Sequence, residues 1–236
     1  MLESLPLYVP LIFALTTVLT LVLFYRAVKK SNSQKVQQYS VKILIGLILW
    51  LAVQTVVTLQ HIYSASIDRF PPSILLFGIL PAVFTVIVLF STQKGQQFID
   101  SLPLIDLTYL HLVRVPVELV LYWLFLNKVI PELMTFKGRN FDIIAGITGP
   151  MIAYFGLTKG KINLKIILIW NFICLGLLLN IVINALLSAP SPVQKFAFDQ
   201  PNIAILYFPF SWLPTFIVPV ILLGHLTSIR QLLKKN

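Results

Sequence analysis

IILIWNFICLGLLLNIVINALL, residues 166–187, holds twenty-two consecutive positions without one charged side chain. As an α-helix rising about 1.5 Å per residue it reaches roughly 33 Å, enough to cross a hydrocarbon core of about 30 Å. Its apolar residues run continuously rather than alternating, which excludes a barrel strand and favours a helix surrounded by lipid. Three asparagines, Asn171, Asn180 and Asn184, interrupt it, the last two about one turn apart.

Six further stretches read the same way, at 8–25, 43–63, 73–90, 107–126, 141–157 and 203–228. Together they predict an all-α integral membrane protein, a seven-helix bundle forming a single polytopic domain over residues 1–236. Composition agrees: of the 236 residues 58% are hydrophobic and only 11% charged, and the mean hydropathy is +0.89. A soluble domain carries roughly a quarter of its residues charged.

The formal charge of +10 sits in short clusters between apolar runs, so it points to lipid headgroups and topology rather than to nucleic acid. Twelve of the eighteen Lys and Arg residues, from Arg26 through Lys94 and Lys165 to Lys235, fall at one set of span ends. Only Arg69, Lys128, Lys137, Arg139 and Lys195 fall at the other, and Arg114 lies within a span. The basic side is expected in the cytoplasm, with the amino terminus outside and the carboxyl terminus inside, in a membrane of the prokaryotic inner type. The first run has no basic segment before it and Arg26, Lys29 and Lys30 after it, the charge order of a retained span rather than a cleaved leader. The lone cysteine, Cys174, allows no disulfide within the chain and reads as packing.

The stretch 141–157 is short and broken by Gly146, Gly149, Pro150 and Gly156. Broken segments at membrane depth line substrate sites in transporters, or give close helix packing. Both readings are open from the sequence.

Ionisable groups inside a span cost about 2.5–3.5 kcal/mol each and persist where they pair or function. In HLVRVPVE, His111, Arg114 and Glu118 share one helical face at spacings of three and four, and Pro116 predicts a bend. His225 falls in the same inner half, and Asn180 is expected near Glu118. These five residues form the expected polar cavity, binding or translocating a small solute or protons. Glu118 is its protonatable group, and Arg114 the counter-ion. On the outer side His61, Glu132, Arg139 and Asp142 are further candidates, in loops rich in proline and aromatics.

Two other readings compete. His111 and His225 could ligate haem or a metal in an oxidoreductase acting on a lipid or quinone, or the chain could be a membrane subunit or sensor without chemistry. Expected partners are membrane lipids and a small ligand or protons. The sequence names no cofactor and no oligomeric state. Retinal held on a lysine of the last helix is excluded, since no lysine lies between Lys195 and Lys234. No GxxxxGK[ST], GxSxG or HExxH motif occurs, so ATP hydrolysis, elbow-serine hydrolysis and zinc proteolysis lack their local signatures.

Overall fold

The computed structural model describes residues 5–65 and 67–235 and contains no strand among them. Five helices are long and apolar enough to cross a membrane: α1 (Tyr8–Lys29), α2 (Gln34–Leu59), α5 (Leu104–Leu126), α7 (Leu164–Ser188) and α8 (Leu213–Lys235). A sixth candidate is the bent pair α3 (Leu75–Ser91) and α4 (Gln93–Ser101), which turn by 93° at Thr92. The shorter apolar helix α6 (Asp142–Thr158) completes the set.

The centre is made by α8 and α5. In their most apolar windows 72% and 50% of residues are buried, against 11% in α2. Helices α1, α3, α6 and α7 pack around this pair, and α2 lies outside against α1. The outer faces are apolar: Leu15 on α1, Leu49 and Val56 on α2, and Ile169 and Ile173 on α7 are each more than half exposed. The interior holds polar groups instead, with His111, Gln54, Asn171 and His225 fully buried. This inverts the pattern of a water-soluble bundle.

Prolines shape several helices. Pro81 and Pro219 lack the N–H that would bond the carbonyl four residues earlier, which is Phe77 in α3 and Thr215 in α8. Both carbonyls lie within π turns, Leu75–Ile79 and Leu213–Ile217. Two side chains of α2 supply the missing donors: Gln54 Nε2 bonds the Phe77 carbonyl at 3.0 Å, and Trp50 Nε1 bonds the Thr215 carbonyl at 2.9 Å. Tyr63 Oη donates in turn to Gln54 Oε1, and Thr58 meets Ser211 at 2.9 Å. In α5 the tightening precedes Pro116 as a 3-10 turn over Leu110–Val113.

Several boundaries differ from the sequence expectation. Helix α8 starts at Leu213 rather than at 203, because the proline-bearing segment before it folds separately, with Ile203 and Ala204 N–H on the Val129 carbonyl. Helix α2 begins at Gln34 and ends at Leu59, since a polar first turn continues the helix and His61 then takes a positive φ of 57°. Helix α4 was not expected. It is capped by the Thr92 hydroxyl, which accepts from Gly95 N–H at 3.2 Å, and it buries Ile99.

At the end bearing most of the basic residues, α4 is tied to α8. Asp100 Oδ1 accepts from Arg230 Nε at 2.8 Å, and Asp100 Oδ2 from Lys234 at 2.5 Å. Gln231 donates to the carbonyls of Ile99 and Leu102. Arg26 of α1 pairs with Asp106 of α5 at 3.0 Å.

Candidate functional site

Five ionisable residues meet in the interior where α5, α6, α7 and α8 converge. Helix α6 comes close because it presents glycine: a Cβ at Gly146 would lie 2.8 Å from Val115 Cγ2, and one at Gly149 would lie 3.0 Å from His111 Cβ. This approach carries Asp142, the first residue of α6, to Arg114, where Oδ2 lies 3.4 Å from Nη2. Both side chains are almost wholly buried. The same Nη2 reaches the Cys174 carbonyl of α7 at 3.5 Å.

Glu118 does not pair directly with Arg114. Its Oε1 accepts from Asn140 Nδ2 at 2.6 Å, and Asn140 is held by a second bond to the Met134 carbonyl at 3.1 Å. Glu118 Oε2, Asp142 Oδ1 and Arg114 Nε and Nη1 have no hydrogen-bond partner. Buried polar atoms are ordinarily bonded, so four donors or acceptors left over in one place are chemically informative. A cavity of about 90 Å³ adjoins them, lined by Arg114, Glu118 and Asp142 and otherwise by apolar groups such as Leu178, Ile217 and Ile221. That volume exceeds the roughly 10–15 Å³ that one water needs on the same measure.

One turn along α5, His111 stacks on His225 of α8, with ring centroids 3.9 Å apart and planes 23° from parallel. Trp170 stands edge-on to His111 at 5.5 Å, and Asn171 Oδ1 lies 3.1 Å from His225 Nδ1. Both nitrogens of His111 and Nε2 of His225 are unpartnered. Imidazole lone pairs lie in the ring plane, so rings stacked this way do not aim two of them at one ion. Among the described residues no group of three or more His, Cys, Asp or Glu side chains is placed to hold a metal.

The structure therefore gathers His111, Arg114, Glu118 and His225 with Asp142, and separates Asn180, Glu132, Arg139 and His61 from them. Asn180 is exposed and donates to the Arg139 carbonyl at 2.8 Å, away from Glu118. Asp142, expected on the outer surface, is buried as the partner of Arg114. Glu132 and Arg139 are exposed, with the Arg139 guanidinium 5.7 Å from the Phe196 ring. His61 is exposed in the turn after α2. Asn140, Trp170 and Asn171 were not among the expected site residues. Asn140 carries one local signal, an Asx-type turn in which its Oδ1 accepts from Asp142 N–H at 3.1 Å.

Residues 70–233, more than two thirds of the chain, match the family described as "Domain of unknown function (DUF8737)". The chain belongs to the DUF8737 family. The DUF8737 region begins after α2 and contains every residue of the buried cluster, from His111 to His225. No curated protein and no solved structure shows significant similarity to it.

Proposed function

We propose that this DUF8737 protein is a seven-span membrane protein that binds or translocates a small solute or protons through the cavity beside Arg114, Glu118 and Asp142. The apolar outer faces and polar interior support embedding in lipid, and the basic clusters support an outer amino terminus and a cytoplasmic carboxyl terminus, in a membrane of the prokaryotic inner type. In this reading α3 and α6 are crossings as well, their short apolar lengths completed by flanking turns.

The observation that carries the functional reading is the charge stoichiometry at the cavity. One guanidinium faces two carboxyl groups, and Glu118 Oε2 and Asp142 Oδ1 are both unpartnered. A net charge at this depth is costly. The site reaches neutrality when one carboxyl holds a proton or when a cationic group enters beside it. Glu118 is the group that takes the proton, because Asp142 is the one engaged with Arg114. The His111–His225 pair lies between this cavity and the basic end of the bundle and conducts or gates towards the cytoplasm.

Glu118→Gln tests this. It keeps the Asn140 contact and the shape of the side chain, while removing the titratable group. In vesicles loaded with a pH-sensitive dye, the wild type is expected to carry proton flux under an imposed potential. The variant is expected to lose most of it with yield and melting temperature nearly unchanged. Equal flux from the two proteins ends the proton-handling role.

A further inference from the structure

A second cavity, of about 420 Å³, lies on the far side of α8 from the buried cluster, and its size is that of small-molecule pockets. Its walls are Gly46 and Trp50 of α2, Pro81 and Thr85 of α3, and Pro219 and Leu223 of α8, and Phe98 of α4 contributes at one end. From Ile43 to Trp50 it follows α2 for about 10 Å. It therefore runs from mid-depth to the end where α4 lies across the bundle. Gly46 leaves it open, because a Cβ there would meet nothing within 4 Å.

The mouth of this groove is basic. Lys42 stands one turn before Gly46 on the same face of α2, and Lys94 stands one turn before Phe98 on the same face of α4. Both are exposed. The carboxylates of this end are engaged elsewhere, Asp100 with Arg230 and Lys234 and Asp106 with Arg26 and Lys30. An apolar slot of inner-leaflet length, ending in two ammonium groups without a carboxylate partner among the described residues, Lys42 lying 5.2 Å from the Tyr39 ring, is complementary to one class of molecule.

We propose that this groove seats one anionic phospholipid of the cytoplasmic leaflet, its acyl chain beside Gly46 and Thr85 and its phosphate between Lys42 and Lys94. The assignment rests on the membrane embedding proposed above and is independent of proton handling. Basic sites between spans on the cytoplasmic side have this use in general.

Native mass spectrometry of the detergent-purified full chain tests it, with phosphatidylglycerol and phosphatidylcholine of identical chains as probes. The wild type is expected to retain one phosphatidylglycerol in preference to phosphatidylcholine by on the order of tenfold. The double variant Lys42→Gln/Lys94→Gln is expected to lose that preference. Gly46→Leu, which projects a side chain into the slot from a position where a Cβ meets nothing within 4 Å, is expected to lower retention of both lipids. Should it fail to fold, Thr85→Leu blocks the opposite wall, where the hydroxyl bonds only the Pro81 carbonyl of its own helix. Equal retention of the two lipids by the wild type, or undiminished retention by the blocked variant, overturns the proposal. A chain released from membranes by alkaline carbonate would overturn the embedding itself; one that stays in the pellet but shows no lipid preference overturns only the lipid site.

Discussion

Arg114 is the residue on which the interior depends most. It is the cation beside Asp142 and Glu118, and it touches α7 through the Cys174 carbonyl. Removing one partner of a buried ion pair costs about 3–5 kcal/mol, because the other charge is left uncompensated. Arg114→Leu is therefore expected to lower the melting temperature strongly, and Asp142→Asn in the same chain to restore much of the loss. Purely additive losses would show that the pair is not coupled. The α5 part of this site was legible in the sequence, because a histidine, an arginine and a glutamate at helical spacing share a face whatever surrounds them. Its other half was not. Asp142 and Asn140 sit in a stretch that reads as an outer loop, and only the glycine-lined approach of α6 brings them inward.

At the scale of elements, the prolines of α3 and α8 create local defects that α2 repairs. Gln54→Leu leaves the Phe77 carbonyl without its donor and is expected to destabilise by about 1–3 kcal/mol. Pro81→Ala returns an N–H to the same carbonyl, so adding it to Gln54→Leu is expected to recover part of the loss. Thermal melts of the four proteins read the cycle. The tie between α4 and α8 carries a pH signature. Hydrogen bonding from Arg230, with help from Lys234, holds the Asp100 carboxyl below its usual range. A carboxyl whose value is lowered by folding contributes fully above its unfolded value of about 3.9 and less as pH falls through the folded value. The stability difference between wild type and Asp100→Asn is thus expected near neutral pH and to fade in acid, and to shrink in high salt. A difference that persists unchanged in strong acid would falsify the ion-pair origin.

Over the whole molecule, the five long apolar helices were readable because continuous hydrophobicity over some twenty residues needs no knowledge of neighbours. Their ends were not, since the segment before Leu213 is as apolar as a helix and only its prolines and its bonds to Val129 set it apart. The π turns and helix α4 were equally hidden, being consequences of packing and of a single capping threonine. The proposed topology has a direct test, because the sole native cysteine, Cys174, is 2% exposed and should stay silent to polar thiol reagents. Lys137→Cys is expected to react with a membrane-impermeant reagent added outside intact cells. Lys159→Cys is expected to react only after the cells are opened. Labelling of both from outside would exclude the alternation of seven crossings.

The bonds from Trp50 to the Thr215 carbonyl and from Trp212 to the Leu51 carbonyl join positions 165 and 161 residues apart. During synthesis, α2 leaves the ribosome long before Thr215 exists, so the Trp50 indole cannot reach its native acceptor until α8 has been made. Closure of α2 onto the bundle is thereby postponed to α8. A product cut short before residue 212 lacks more than its tail: it lacks the surface on which an early helix comes to rest.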